Sequence, residues 1–407
     1  MIIRIKNKQI AAKQCINLVI TGLLLLPIYI DLMGTLSLVL GFSTKVTTYL
    51  YYGTLWALLI VALPKIVEAV SDKVVIGIAL FFMMVIFQYL AFPANRRFLV
   101  PESLMDIIIF SPSSLIGVAP FILIGLAVVD TEELSVFLHT GARIGVIMGA
   151  LSYWLAISHG HDIYYDDMAN AYALCTVVCI LVANYQKKDI YYLAIGMLSL
   201  ILAGTRGPFA CIIVAVLIRV ILLEKASVRK TMKILAGILV VVVLQSDLFN
   251  IFLDMIEAFF ESIGVTELRI IDYFREDMIT DSSGRDVYSE MIKNKIGEAP
   301  LIGYGVGGDR IILRQSYVHH LALEMWVSYG VVLGTVFMGW IGYWVLKGFK
   351  SKNDEVKYIT TALFSSAVVK LFLSSSYLYS KEMFILLGIC MVSSKAIHKS
   401  AFKDESS

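Results

Sequence analysis

Apolar blocks recur along this 407-residue chain, each about as long as the roughly 20 residues that carry an α-helix across a bilayer core. They fall at 15–33, 48–64, 74–92, 107–129, 134–156, 168–185, 190–204, 207–223, 232–248, 320–346, 357–378 and 381–397. Within lipid every backbone polar group must be bonded inside the protein, so blocks of this length read as helices. A membrane barrel would instead show alternating segments of about 10 residues. The expected fold is therefore an all-α polytopic bundle of twelve spans. Composition agrees, with 58% hydrophobic and 16% charged residues, against about 45–50% and about 25% in soluble domains.

Three regions follow. Residues 1–190 are N-terminal transmembrane helices, 190–346 a core region with one large loop at 249–319, and 347–407 the last helices and a tail. The N-terminus has a basic start and an apolar run with no A-x-A-like cleavage site, and reads as an uncleaved first span. Lys and Arg concentrate in alternate short connections: Lys65 and Lys73, Lys187 and Lys188, Lys225 to Lys230, Lys347 to Lys357. By the positive-inside rule both termini face the cytoplasm. Loop 249–319 and Arg206 then face the exterior, although "DTEEL" (130–134) carries no basic residue and "NRRF" (95–98) falls outside.

A net charge of +2 gives no reason to expect nucleic acid. Cys15, Cys175, Cys179, Cys211 and Cys390 all lie in apolar segments, which argues against a disulfide framework or zinc site. Cys175 and Cys179 share a helix face as small packing residues. "SHGHDIYYDD" (158–167) reads as a polar loop rather than a metal site.

In the loop, "NIFLDMIEAFFESIG" (250–264) has the spacing of a surface-lying amphipathic helix. "SSGRDVYSEMIKNKIGEAP" (282–300) predicts a turn, a helix over about 286–296 and a stop at Pro300. Four features there and nearby hold side chains with chemistry. Arg206 stands in "GTRGPF" (204–209) between two apolar runs, where glycines leave room for a ligand and Pro208 suits a helix start. A guanidinium beside a helix N-terminus suits anions, and a snorkelling arginine fits equally. "LIGYGVGGDR" (301–310) offers Gly305 and Gly307 as a flexible turn with N–H groups for a phosphate, or as a plain loop. His319 and His320 stand where the loop re-enters the membrane; adjacent histidines are poor zinc ligands but suit proton transfer. Arg285 is the arginine of "DSSGRDVYSEM" (281–291). His139, Arg143 and Lys370 are intramembrane ionisable residues, second-rank candidates for lining a lipid- or sugar-binding groove. For Arg143, pairing with Glu132 or Asp130 is the alternative.

In this order, "GTRGPF", "GRDVYSEM", "PLIGYGVGG" and "HHLAL" followed by a helix ending at "YGVVLG" resemble the O-antigen ligase/polymerase superfamily of bacterial membrane glycan transferases. The resemblance covers about 195–340. Where the family carries Asn after its histidine this chain has His320, so the family histidine maps to His319, which keeps Leu323 in register. The resemblance implies a polytopic protein of the cytoplasmic membrane. It would transfer glycan from an undecaprenyl-diphosphate carrier to an acceptor sugar hydroxyl on the outer face, with no metal or other cofactor. Arg206 and Arg285 would grip the diphosphate and offset its developing charge; His319 would accept or orient the hydroxyl proton. Gly305, Gly307, His320 and Arg143 would complete the substrate contacts. Implied partners are the lipid-linked oligosaccharide, membrane lipid, and the pathway's flippase and chain-length regulator, with no nucleic acid. A repeat-unit polymerase for O-antigen, capsule or exopolysaccharide is the preferred reading. A ligase to lipid A core is the alternative, then a secondary transporter, against which the one external loop in the second half, with no counterpart in the first, counts. A structural subunit without activity is the last.

Overall fold

The structure is a computed structural model. It describes residues 2–41, 43–111, 113–158, 167–203, 205–224, 285–314 and 316–404, with 254, 255, 257, 258 and 262. Among them every regular element is helical. In chain order these are α1 (Ile2–Leu40), α2 (Thr44–Ala69), α3 (Asp72–Ala91), α4 (Arg96–Leu99), α5 (Leu104–Ile108), α6 (Leu115–Val118), α7 (Phe121–Leu126), α8 (Thr131–Ser158), α9 (Asp167–Ala183), α10 (Asp189–Ala203) and α11 (Arg206–Ile218). They continue with α12 (Arg285–Glu298), α13 (Gly308–Ile312), α14 (Leu321–Phe349), α15 (Asp354–Leu363) and α16 (Lys381–Asp404).

Among the described residues five helices are long and apolar enough to cross a membrane: Ala11–Leu40, Thr44–Ala69, Asp72–Ala91, Thr131–Ala156 and Leu321–Phe349. The others differ from the expected spans for local reasons. The block at 107–129 is not one helix but α5, α6 and α7. Ser114 starts α6 afresh, its hydroxyl accepting from Gly117 N (3.2 Å). Pro120, which has no N–H to continue a helical ladder, separates α6 from α7. The block at 357–378 begins as α15, loosens through a π turn (Phe364–Val368) and a 3₁₀ turn (Val369–Phe372), and ends at the serine run 374–376. Hydropathy averages over such breaks and cannot see them. The element Leu321–Phe349 is two helices joined across a break at Gly330 (φ 75°, ψ 167°), so the first ends within "YGVVLG" as expected and a second runs on to Phe349. The expected span 232–248, most of the expected surface helix at 250–264 and the loop residues 263–284 lie outside the described residues, as do His159, His161, Asp162 and Asp166. The helix expected over 286–296 is α12.

The packing has a clear axis. Every residue from Asn170 to Ala183 is buried, and α9 touches α1, α8, α10, α11 and α15. It is apolar all round because protein surrounds it on every side. Cys175 and Cys179, with Ala171 and Ala173, are its small packing residues. By contrast α2 and α3 expose Ile60, Val67, Ile76, Leu80, Met83 and Leu90, the outward apolar surface of a helix that meets lipid.

The two ends of the bundle differ. At one, Lys13 bonds Asp130 (2.6 Å) and Glu133 (3.3 Å), and Asn353 donates to Thr131 (2.9 Å). At the other, contacts described below gather the start of α11, Arg285 and His319. The acidic "DTEEL" segment thus supplies counter-ions for the first helix, which accounts for its lack of basic residues.

One crossing requires glycine. A Cβ on Gly125 of α7 would overlap the Ile385 carbonyl, and one on Gly388 of α16 would overlap the Ile122 carbonyl, so the two backbones touch. Gly388→Ala is expected to cost more than the roughly 1–3 kcal/mol of ordinary overpacking. Gly339→Ala, with nothing within 4 Å, should be neutral or mildly stabilising. Thermal melts of the purified variants test this, and equal midpoints would refute it.

Candidate active site

The site is built where helices stop. Beyond Phe372 the chain carries Ser374, Ser375 and Ser376, whose hydroxyls compete with the helical ladder for backbone partners. Ser376 caps a 3₁₀ turn at Tyr377–Tyr379 by accepting from Leu378 N (3.2 Å). This connection from α15 to α16 faces the loop 313–320 that leads into α14.

A buried charge network joins the two. Arg310, in α13, is 2% exposed. It donates to Asp309 (3.0 Å), to Glu324 of α14 (3.1 Å) and to the Ser376 hydroxyl (2.6 Å). The Ser376 hydroxyl donates in turn to Glu324. Asp309 also accepts from Val318 N (3.2 Å), and Glu324 from Tyr377 N (3.3 Å). The rings of Phe98, Tyr317 and Tyr379 flank the guanidinium at 5.4–5.5 Å. Every charge in this network is paired, as a desolvated cluster must be to persist.

That network holds the backbone on which His319 sits. His319 adopts φ 54°, a left-handed conformation a non-glycine residue keeps only when its surroundings impose it. Val318 N is tied to Asp309, Tyr317 Oη donates to Ser374 O (3.2 Å), and Glu324 N bonds His320 O (2.9 Å). The His319 ring lies against Tyr317 (centroids 4.1 Å apart). Burial, then the nearby positive charge of Arg285, push its pKa down to about 4. It is therefore neutral at physiological pH, and its buried Nδ1 has no hydrogen-bond partner among the described residues. His320 instead meets Phe372 edge-on (5.5 Å), its pKa also lowered by burial.

Arg285 opens α12 and donates to the Leu373 carbonyl (2.7 Å). Unlike Arg310, it has no carboxylate partner among the described residues. Its charge reaches His319, Tyr317 and Tyr172. Tyr172, on α9, completes the set. Its hydroxyl occupies the space a Cβ on Gly207 would need, and Lys370 lies over its ring (5.1 Å). Gly207 thus makes room for Tyr172, at the start of the helix that Arg206 opens. A cavity of about 1050 Å³ adjoins, lined among others by Tyr172, Tyr317, Ser374 and Lys370.

Three of the four motifs singled out in the sequence therefore converge: the α11 start, Arg285 and His319. The fourth joins indirectly, through Asp309 and Arg310. Gly305 (φ 81°) and Gly307 (φ 71°) pack against Phe92 and Phe98 instead of facing the cavity, and Val306 N is taken by Gln88 (3.2 Å). Arg143 lies toward the opposite end, paired with Asp189 (2.7 Å) rather than Glu132 or Asp130, with His139 3.2 Å from the same carboxylate. Lys370 does line the cavity. Asp309, Arg310, Glu324, Ser376, Tyr172 and Tyr317 carry no assignment from the sequence. Their signals there are an Asp-Arg pair after glycines, a carboxylate inside an apolar block and three consecutive serines, none specific without the third dimension. Comparison of the chain with protein-family profiles, characterised proteins and solved structures finds no match.

Proposed function

We propose that this protein is a lipid-diphosphate-dependent glycan transferase of the bacterial cytoplasmic membrane, a polymerase that joins polysaccharide repeat units on the outer face. One observation carries the reading. A neutral imidazole with a buried, unpartnered nitrogen, His319, lies within electrostatic reach of Arg285, a guanidinium lacking a carboxylate partner among the described residues, and its ring neighbour Tyr317 lines a large cavity. A neutral histidine can take the proton of an acceptor hydroxyl as it attacks the anomeric carbon. A guanidinium not neutralised by a carboxylate can hold the diphosphate as the sugar–phosphate bond breaks and negative charge gathers on the leaving oxygen. The N-terminus of α11, which Arg206 opens, adds positive potential at the same end. The resemblance of the four motifs to the O-antigen ligase/polymerase superfamily supports the same chemistry.

The test is the glycan profile of a deletion strain complemented with variants. Single-repeat products in the deletion support a polymerase; long chains not attached to lipid A core mark a ligase; a normal profile removes the proposal. Arg285→Lys, Arg206→Lys and His319→Ala should each lose most chain extension while still inserting. For the arginines the reason is that an ammonium cannot form the planar two-bond clamp. His320→Ala should lose less.

A further inference from the structure

The cavity has two further features that the transfer chemistry does not use. On one wall stands Lys381, the first residue of α16, 6% exposed, with the neighbouring Glu382 carboxylate as its electrostatic counterpart among the described residues. Lys370 lines the same cavity and lies over the Tyr172 ring. On another wall Asp31 of α1 accepts from Ser152 and from Asn170 Nδ2 (2.7 Å). That bond fixes the amide orientation, since a carboxylate requires the N–H₂ side. It leaves Asn170 Oδ1 buried, with no donor among the described residues. A wall carrying two lysines and a buried acceptor with no donor among the described residues, both on one cavity, call for a ligand that satisfies them.

The two demands define the ligand. Lys381 and Lys370 favour an anion. Asn170 Oδ1 requires a hydroxyl or amide donor, and Asp31 and Glu382, also lining the cavity, disfavour a bare multivalent anion. Tyr317 and Tyr379 line it too, with rings suited to the C–H surface of a sugar. We infer that this cavity is a binding subsite for a sugar bearing an anionic group, with Lys381 taking the anion and Asn170 a ring hydroxyl. The anion is a sugar-acid carboxylate or a sugar phosphate. The inference rests on the transferase reading and narrows its substrate to charged glycans.

The test is calorimetric titration of the purified full-length protein with trigalacturonic acid, glucose 1-phosphate and neutral maltotriose. At least one charged sugar should bind tenfold or more tightly than maltotriose, and which one does so identifies the anion. Lys381→Met should remove that preference, with Lys370→Gln as a second variant, and Asn170→Leu should weaken the charged sugar several-fold. Equal affinity for all three, no binding of any, or a preference unchanged in both lysine variants overturns the inference. The assay needs no turnover. Absent binding in a protein whose glycan ladder still depends on Arg285 and His319 sinks the subsite alone, whereas intact binding with a ladder indifferent to those residues sinks the transferase reading alone.

Discussion

Arg310→Met is expected to destabilise the protein by about 3–5 kcal/mol, the cost of breaking a buried ion pair and leaving its partners uncompensated. Asp309 and Glu324 would then face each other across a site that is at most 1% exposed, with no cation between them. Ser376 would lose its strongest donor at the same time. The loss should be partly recovered in Arg310→Met/Glu324→Gln/Asp309→Asn, which removes both charges while keeping similar shapes. Thermal melts of purified single and triple variants measure this; a single variant as stable as the parent would show that the network is not a packed, desolvated unit. A second readout separates stability from positioning. Arg310 touches no substrate group in the proposed reaction, yet it anchors Asp309, which holds Val318 N and hence the strained backbone at His319. Arg310→Met should therefore reduce chain extension beyond what its lower protein level accounts for.

The second large effect concerns the protonation of His319. Burial and Arg285 both disfavour imidazolium, so the residue should stay neutral as pH falls through 6.5 and gain its proton only at about pH 4. Chain extension that depends on a neutral His319 should accordingly persist well below pH 6.5. Arg285→Gln removes the second cause and should move the midpoint upward, though not to 6.5, because burial remains. Imidazole titration followed by NMR on histidine-labelled protein reads both values without requiring turnover. A midpoint near 6.5 in the parent protein would refute a buried, positively flanked imidazole. The consequence for stability has the same sign. Because the folded pKa lies below the unfolded one, the unfolded chain binds the proton more readily. This residue's contribution is thus intact above about pH 6.5 and is lost as pH falls towards 4.

Legibility of the site from sequence differs from residue to residue. Arg206, Arg285 and His319 are recognisable because arginine and histidine beside apolar runs are expensive and need a reason. Their order along the chain, combined with alternation of helix direction, puts them at one end. Gly305 and Gly307 are recognisable as special but not as to purpose: glycine signals a left-handed turn or a close approach equally. Here Phe92 and Phe98 fill the space. Arg143 cannot be resolved from sequence because its partner, Asp189, is 46 positions away. Glu324 is visible only as a carboxylate near two histidines; its partners Arg310 and Ser376 come from separate elements.

From the sequence alone come the all-helical class with long apolar helices and, as expectations, the repeated reversal of direction and the clustering of basic residues toward one end. All three follow from local chemistry: block length, hydropathy and charge are properties of neighbouring residues. Folding in three dimensions decides which blocks remain continuous helices, which arginine is spent on structural carboxylates and which stays available, and that Asp31, Asn170 and Lys381 share one cavity. Those outcomes depend on contacts between segments far apart in the chain, and such contacts leave no periodic trace along it.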